Sequence, residues 1–418
     1  MIKVSCRMKA SASLSIAPVN ASSHQESLRN AVCEAMRAAT ESLGVSADIA
    51  IVFVRDDALT PADAERLIET VLRPMVGDAI LFGGVVDSLV GTAQEVEHGI
   101  AASVLLLGEM RGAARAFSME CIETPDGWSV MGLDEDVHRD AVACGGLLTI
   151  ACPFTFSADM LYSSLEALAP IDERPAKVFG GNISRMARRG GEGSPSMMFL
   201  GDRLVTSGAI GLLLPDSVEW SAVVSQGSRP IGEPMIVTEV SERSIVSLGG
   251  KPALDRLRDM FHTLPNRERE MAMRLLLIGR AISEYSETFS HGEFLIRNIT
   301  GIDQETKAIQ VADRMKVGQT VRFHLLDDTA ADADLKQLTS RARSSGMEPV
   351  AGVLFSCNGR GERMFGVPGH DANVVEHYFP SMPLCGFFAA GEFGPVADQN
   401  LVHGFTAVVA LLCDRGAS

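Results

Sequence analysis

Cys357, Arg360 and Glu392 stand where two apolar runs give way to glycine. The first run, Val353-Leu354-Phe355, leads into Ser356-Cys357-Asn358-Gly359-Arg360-Gly361, and the second, Leu384 to Phe388, ends in Ala389-Ala390-Gly391-Glu392-Phe393-Gly394-Pro395. A strand that ends in a glycine-flanked polar turn brings side chains and backbone N–H groups up to a ligand. Two such turns, one offering a thiol and a guanidinium and the other a carboxylate, would converge at neighbouring strand ends. The competing reading is two tight turns, with Cys357 a small buried apolar residue. Residue chemistry alone weighs these two equally.

Three further candidates share this setting. Asn182 follows Lys177-Val178-Phe179-Gly180-Gly181; its amide both donates and accepts, although capping its own turn is the commoner use. Gln226 and Arg229 lie in Ser225-Gln226-Gly227-Ser228-Arg229-Pro230, after the apolar Ala222-Val223-Val224. Pro230 biases Arg229 toward extended backbone, and a fixed guanidinium suits a carboxylate through two parallel hydrogen bonds. A structural ion pair with one of the 53 acidic residues would occupy it equally well. The stretch from Arg185 to Pro195 sets three arginines beside glycines and reads as a solvated mobile loop more readily than as an anion site.

The elements that must hold these residues alternate strand and helix. His24 to Leu43 carries Leu28, Val32, Ala35, Met36, Ala39 and Leu43 at helical spacing and ends at Gly44. Asp48 to Val54 is a branched apolar run typical of a buried strand. Thr60-Pro61 opens the next helix, as cap and first-turn proline. Ala79 to Gly84 and Lys177 to Asn182 repeat one device: an apolar strand ending in paired glycines, Gly83-Gly84 and Gly180-Gly181. The match is short and reads as a repeated device, not as an internal duplication. Gly99 to Leu107 and Ala116 to Ile122 read as paired strands, Ser157 to Leu168 as a helix, and Ser196 to Leu200 with Gly208 to Leu214 as a hairpin. Farther on, Pro252 to Phe261 and Asn266 to Tyr285 read as helices, the second capped by Asn266. Asp332 to Ser345 is a further helix and Thr406 to Leu412 a final strand. The fold class expected is α/β (α+β): mixed β-sheets covered by helices, in two intimately packed halves.

Composition narrows the function. A chain of 418 residues is long for one core. Its formal charge of −16 argues against nucleic acid, whose phosphates need a basic face. The eight cysteines form no C-x-x-C pair, so zinc at the usual spacing is not signalled and a reduced, cytoplasmic setting is expected. No apolar stretch reaches membrane-spanning length, and no apolar block follows the basic N-terminus as a signal peptide requires. Phosphate-loop, nucleophile-elbow, zincin and dinucleotide signatures are all missing; Gly249-Gly250-Lys251-Pro252 fails the first. No catalytic residue and no metal ligand is therefore assigned. A Cys357 nucleophile with His370, His377 or His403 as base carries no local signature, and the expectation is that the chain is not an enzyme.

The motifs F-S-C-x-G-R-G, P-L-x-G-F and G-E-F-G-P in the C-terminal stretch resemble the FIST family, sensory domains of bacterial signalling proteins that also occur in F-box proteins. Ser225 to Gly232, Gly249 to Leu254, Phe294 to Arg297 with Gly301, and Gly318 to His324 continue the resemblance in order, from about Ala21 to Leu412. It implies a FIST N-terminal domain over 21–220 and a C-terminal domain over 221–412. It also implies a small polar ligand, an amino acid or a relative, for which an Arg–Glu pair would suit the carboxylate and the ammonium. The ligand residues it points to are Asn182, Gln226, Arg229, Cys357, Arg360 and Glu392, supported by glycine turns at Gly83, Gly84, Gly180, Gly181, Gly361 and Gly391. Two departures stand out: Val85-Val86-Asp87 follow the first glycine pair, where the family often has a small polar residue or Cys, and Ser228 occupies a position that can be Cys. No cofactor is expected; the resemblance also admits haem, with nothing to choose among nine histidines. The chain carries no recognisable kinase, cyclase, methyl-accepting or DNA-binding region, so a signal would leave through a separate output protein. A protein-interaction scaffold or a Cys-dependent enzyme would also accommodate these residues.

Overall fold

The computed structural model describes residues 8–17, 23–125, 127–169, 174–183, 195–284, 292–396 and 399–415. Contacts divide the chain into two compact units: Met1–Val224 with Lys336–Val402 and Ala407–Ser418, and Ser225–Leu335 with His403–Thr406. The second unit therefore begins close to residue 220, but the chain returns to the first unit for the motifs around Cys357 and Glu392.

The first unit is built three times over. Its first repeat runs β1 (Lys9–Ile16), α1 (His24–Leu43), β2 (Ala47–Arg55), then α2 (Pro61–Leu67), which passes through one π-helical turn into α3 (Arg73–Val76). It continues through β3 (Ile80–Val86), a hairpin of β4 (Leu89–Gly91) and β5 (Gln94–Val96), and β6 (Ala101–Gly108). The second repeat runs β7 (Arg115–Thr124), β8 (Gly127–Met131), α4 (Glu135–Cys144), β9 (Gly146–Ala151), α5 (Ala158–Leu168) and β10 (Lys177–Asn182). The hairpin β11 (Met198–Leu200) and β12 (Arg203–Val205), then β13 (Ala209–Leu213), complete it. The third opens with β14 (Val218–Gln226).

There the second unit enters, with β15 (Ser228–Ser241), β16 (Ser244–Leu248), β17 (Lys251–Pro252), α6 (Ala253–Thr263), α7 (Asn266–Arg274), β18 (Leu276–Ala281), β19 (Phe294–Ile302), β20 (Ile309–Val311) and β21 (Thr320–Leu326). The third repeat resumes with α8 (Asp328–Ser344), β22 (Ala351–Cys357), α9 (Glu362–Phe365), α10 (His370–Tyr378) and β23 (Leu384–Ala389). The hairpin β24 (Glu392–Val396) and β25 (Gln399–His403), then β26 (Thr406–Asp414), close it.

In each repeat two parallel strands, joined by a helical crossover, lie beside an antiparallel third. The register is nearly constant: Ile49 faces Ile80, Gly146 faces Lys177 and Gly352 faces Leu384, offsets of 31, 31 and 32 residues. Each repeat sends its hairpin into another repeat's sheet. The sheet orders are β1-β6-β2-β3-β11-β12, β8-β7-β13-β9-β10-β24-β25 and β14-β26-β22-β23-β4-β5. Equivalent backbone bonds seal the three seams: Val85 N–H to Met197 O, Asn182 N–H to Gly391 O, and Phe388 N–H to Ser88 O, at 2.9, 2.9 and 3.1 Å. The paired-glycine device is thus part of a threefold structural repeat, which the short sequence match did not suggest.

Glycine is required at one equivalent place in each repeat. Gly83, Gly180 and Gly386 have φ of +147°, +145° and +156°, and face Val52, Thr149 and Leu354 on the neighbouring parallel strand. A Cβ at each would overlap that residue's carbonyl oxygen. Gly83-Gly84 and Gly180-Gly181 are therefore not turns after strands, as expected, but lie inside β3 and β10. They let the backbones close up and turn their second faces to the incoming hairpin.

The inner faces of the three sheets share one core, including Phe53, Phe82, Ile150, Phe179, Phe355 and Phe387. Phe53 of the first sheet meets Phe387 of the third at 5.0 Å between centroids, and Phe179 of the second stacks on Trp220 of the third at 5.0 Å. Each ring so buried contributes about 1.5–3 kcal/mol. Helices cover the outer faces: α1 and α2 the first sheet, α4 and α5 the second. The alternation foreseen for α1 is what it buries, between an N-cap at Ser23 and a left-handed Gly44. The second unit is an antiparallel sheet in the order β15-β21-β18-β19-β20-β16-β17, in which β15 also pairs with β16, with α6 packed on it. The whole is an α+β fold of mixed sheets and helices.

Three expectations need correction. The helix over Asn266–Tyr285 stops at Arg274, because Leu276–Ala281 is a strand between β19 and β21; the helix is capped at Pro265, not Asn266. Gly99–Leu107 and Ala116–Ile122 do not pair: β6 joins the first sheet and β7 the second. Ser196–Leu200 pairs with Arg203–Val205 across the turn, while Gly208–Leu214 supplies β13 against β9 and β7. Residues 185–194 of the arginine-rich loop lie outside the described residues.

Replacing Gly83, Gly180 or Gly386 by Ala is expected to cost more than about 4 kcal/mol each or to prevent folding. The same change at the open, left-handed Gly201 should cost about 1–2 kcal/mol. Urea unfolding of the four variants checks this; equal, small losses would contradict the close approach.

Candidate functional site

The parallel strands β22 and β23 end side by side, with Cys357 opposite Ala389 and Asn358 N–H bonded to Ala389 O at 3.0 Å. The two strand-to-glycine turns thus converge. Behind the first turn lies a buried ionic cluster. Arg360, 1% exposed, donates from Nε and Nη2 to the two oxygens of Asp371 at 2.7 and 2.8 Å. Ser356 Oγ donates to Asp371 Oδ2 at 2.7 Å, and His370 Nδ1 lies 2.9 Å from Oδ1. Burial alone would raise the Asp371 carboxyl. The Arg360 charge, with hydrogen bonds from Arg360, His370 and Ser356, holds it below the usual carboxylate range.

The cluster's third charged member comes from another repeat. Glu95, on the exchanged strand β5, is 7% exposed and accepts the Ala372 N–H at 3.0 Å. Burial, and then the Asp371 charge, push its carboxyl up to about 8; Arg360 pulls the other way and Glu97 adds to the rise. Two atoms here have no protein partner: Arg360 Nη1 and Glu95 Oε2, both buried. A buried polar atom left unpaired costs about 1–3 kcal/mol. The short helix α9 covers Arg360: the guanidinium carbon lies 5.2 Å from the Phe365 ring centroid, and Phe365 stacks on His370 at 3.5 Å. Gly361 and Gly366, at φ +75° and +71°, bound that helix. Gly361 also leaves room for Glu97 Oε1, which accepts the Glu362 N–H at 2.7 Å.

Four of the six anticipated residues fall in this unit. Cys357 is buried and its sulfur accepts the Gly359 N–H at 3.5 Å. Asn182, half-buried, sits at the end of β10 and donates to Ala390 O at 3.3 Å. Glu392 is fully buried on β24 opposite Gly181, and Gly391 forms the turn between β23 and β24 at φ +113°. Gln226 and Arg229 belong to the second unit, and both have internal partners. Arg229 Nε and Nη2 donate to Asp327 at 2.6 Å and Glu268 at 2.8 Å, the structural ion pair weighed against a ligand role. Gln226 Nε2 donates to Phe294 O at 2.6 Å, while its backbone N–H reaches Asp334 at 3.0 Å. Ser228 Oγ and His324 Nδ1, both buried, lie 3.2 Å apart.

Sequence reasoning missed Ser356, Asp371 and Glu95. Asp371 was legible as an acid at the start of an otherwise apolar helix face, Ala372-Val374-Val375. Glu95 had only its place between apolar residues in a short strand. An open hollow of about 630 Å3 lies at the other end of β2 and β3, lined among others by Met36, Asp48, Met75 and Met110. Its polar side chains are exposed, and Asp48 is engaged with the Met110 N–H, so it is the weaker candidate. No group of three metal-ligating side chains suited to an ion occurs among the described residues.

The profile of the FIST N domain matches residues 48–251, and that of the FIST C domain matches 253–395. The chain belongs to the FIST family. FIST domains are sensory domains of signal transduction. The chain is 37% identical over 388 residues to an uncharacterized protein of Mycobacterium tuberculosis, covering 93% of this chain and 97% of the relative. An uncharacterized Mycobacterium bovis protein is 36% identical over 388 residues, covering 92% and 96%. Human F-box only protein 22 is 30% identical over 102 residues, 21% of this chain and 25% of that protein. The two FIST segments do not fold apart: β22 to β24, which begin within the C segment, complete sheets begun by the N segment. No described helix is long and apolar enough to cross a membrane.

Glu95 holds its proton more tightly in the folded chain than in the unfolded one, where its value is near 4.5. Its contribution to stability is therefore full below about pH 4.5 and fades as pH rises through about 8. Glu95→Gln is expected to remove that loss, so that the variant gains on the native chain between pH 6 and 9 in chemical unfolding. Asp371→Asn leaves Arg360 buried without its counter-charge and should cost about 3–5 kcal/mol. A pH slope unchanged in Glu95→Gln would show that Glu95 is not the titrating group.

Proposed function

We propose that this FIST protein is a cytoplasmic sensor of a small polar metabolite, an amino acid or a related acid, and that it signals through a separate output protein. The observation that carries the reading is the pair of buried atoms without protein partners, Arg360 Nη1 in the turn after β22 and Glu95 Oε2 in the middle of β5. Strand ends of a parallel pair are where α/β sheets bind ligands. The exposed Asn358 and Ala390, with the half-buried Asn182 and Gly391, lie at the adjoining ends of β22, β23 and β10. Asn182, Cys357 and Glu392 belong to this neighbourhood. Gln226 and Arg229 serve the second unit, where their side chains hold strands and a helix together.

Sensing needs an element with two arrangements. The four-residue helix α9, bounded by glycines and resting on Arg360 through Phe365, is suited to that role. A ligand that reached Arg360 would displace or re-seat it, changing the exposed surface around Glu362 and Arg363.

Mass spectrometry of the purified protein under native conditions, with an absorbance spectrum, tests the proposal. A retained or added polar metabolite below a few hundred daltons is the expected result, with α9 amides changing their hydrogen exchange when it is removed. A Soret band would replace this reading with haem. An apo mass that persists after incubation with cell metabolites would contradict ligand sensing.

A further inference from the structure

We infer that Glu95 enters this site as a hydrogen-bond donor and not as a charge, so that the site receives a carboxylate between Arg360 Nη1 and the Glu95 carboxyl group, and does so together with a proton. The inference rests on the ligand reading above and adds what is recognised and in which protonation state.

The argument starts from charge. Arg360 supplies one positive charge, and the bidentate Asp371 carboxylate already balances it. An anionic ligand therefore brings the buried cluster to a net charge of −1, and an ionised Glu95 would make it −2. The groups facing Glu95 are Asp371, Arg360 and Glu97, with His370 hydrogen-bonded to Asp371 and Cys357 close to Arg360; of these, Arg360 is the permanently charged cation. Burying a second uncompensated charge costs several kcal/mol, whereas a protonated Glu95 removes that charge and offers an O–H donor.

Geometry agrees. Glu95 Oε1 already accepts the Ala372 N–H, which leaves Oε2, the unpartnered oxygen, as the place for the proton. Arg360 Nη1 is likewise a donor without an acceptor. Two buried donors, Arg360 Nη1 and a protonated Glu95 Oε2, would match the two oxygens of one carboxylate. An ammonium group in the same place would face a guanidinium and would need Glu95 ionised. The two ligand types therefore predict opposite pH behaviour: a carboxylate binds with proton uptake and weakens as pH rises, an ammonium binds with proton release and strengthens.

Calorimetric titration of the full chain with acetate, and with acetamide as its neutral counterpart, reads this directly at pH 7 and pH 9.5. With the Glu95 carboxyl titrating at about 8 in the free protein, acetate affinity is expected to fall roughly 30-fold between the two. The heat in buffers of different ionisation enthalpy should report proton uptake at the higher pH, and acetamide should show no such fall. Glu95→Gln keeps a donor but cannot titrate, so its acetate affinity should be level across the range. Acetate binding equally strong at both pH values, or a fall that persists in Glu95→Gln, overturns the proton link while leaving a ligand site. Acetate that does not bind even at pH 7, to a chain that does bind a metabolite in the mass measurement, overturns carboxylate recognition alone. No binding of either kind removes the site and the inference together.

Discussion

The first unit depends on three backbone-to-backbone approaches. At Gly83, Gly180 and Gly386 a carbonyl of the neighbouring parallel strand occupies the space that any side chain would fill. That closeness is what lets a second backbone, the exchanged hairpin, come against the other edge of the same strand and hydrogen-bond there. Exchange in turn decides the topology. Each sheet is finished by residues from elsewhere in the chain, so the edges that a short mixed sheet would leave open are covered. The inner faces then meet as one core, in which Phe53 touches Phe387 and Phe179 stacks on Trp220. A single-repeat fragment would have an unfinished sheet and half a core.

The candidate site is a consequence of the same exchange. Glu95 reaches Asp371 and Arg360 only because β5 is carried onto the sheet that contains β22 and β23. Placing a guanidinium and two carboxyl groups out of contact with water is costly. The bidentate pair, the Ser356 hydroxyl and the His370 ring offset much of that cost for Asp371. They do not satisfy Arg360 Nη1 or Glu95 Oε2. A cluster built for stability alone would be better served by apolar residues of similar volume. The second unit uses its arginine differently: Arg229 is fully engaged with Asp327 and Glu268 and holds elements in place.

Much of this was legible in the chain. The C-terminal cap of α1, the N-cap of α2, the buried face of α1, the branched strands and the convergence of the two C-terminal turns follow from local rules of spacing and turn chemistry. Local rules failed where the cause is remote. Paired glycines are a turn signature when read along the chain, but at Gly83 and Gly180 their role is set by a strand about 31 positions earlier. Leu275 to Ile278 continues a helical pattern until two neighbouring strands claim it. Glu95 and Arg360 are separated by most of the molecule in sequence, and no periodicity joins them. The threefold repeat was hidden for a similar reason: what the repeats share is a register and a glycine, while their side chains have diverged.

Native-state hydrogen exchange tests the interlocked arrangement most directly. The amides of Val85, Asn182 and Phe388, which seal the three seams, and of Ala372, held by Glu95, should share one protection level. That level should equal the stability of the whole first unit, because none of them can open without undoing a sheet. Protection of these amides well below that of β2, β9 and β22 would mean that the hairpins detach on their own, and would contradict an exchange that holds the unit and its site together.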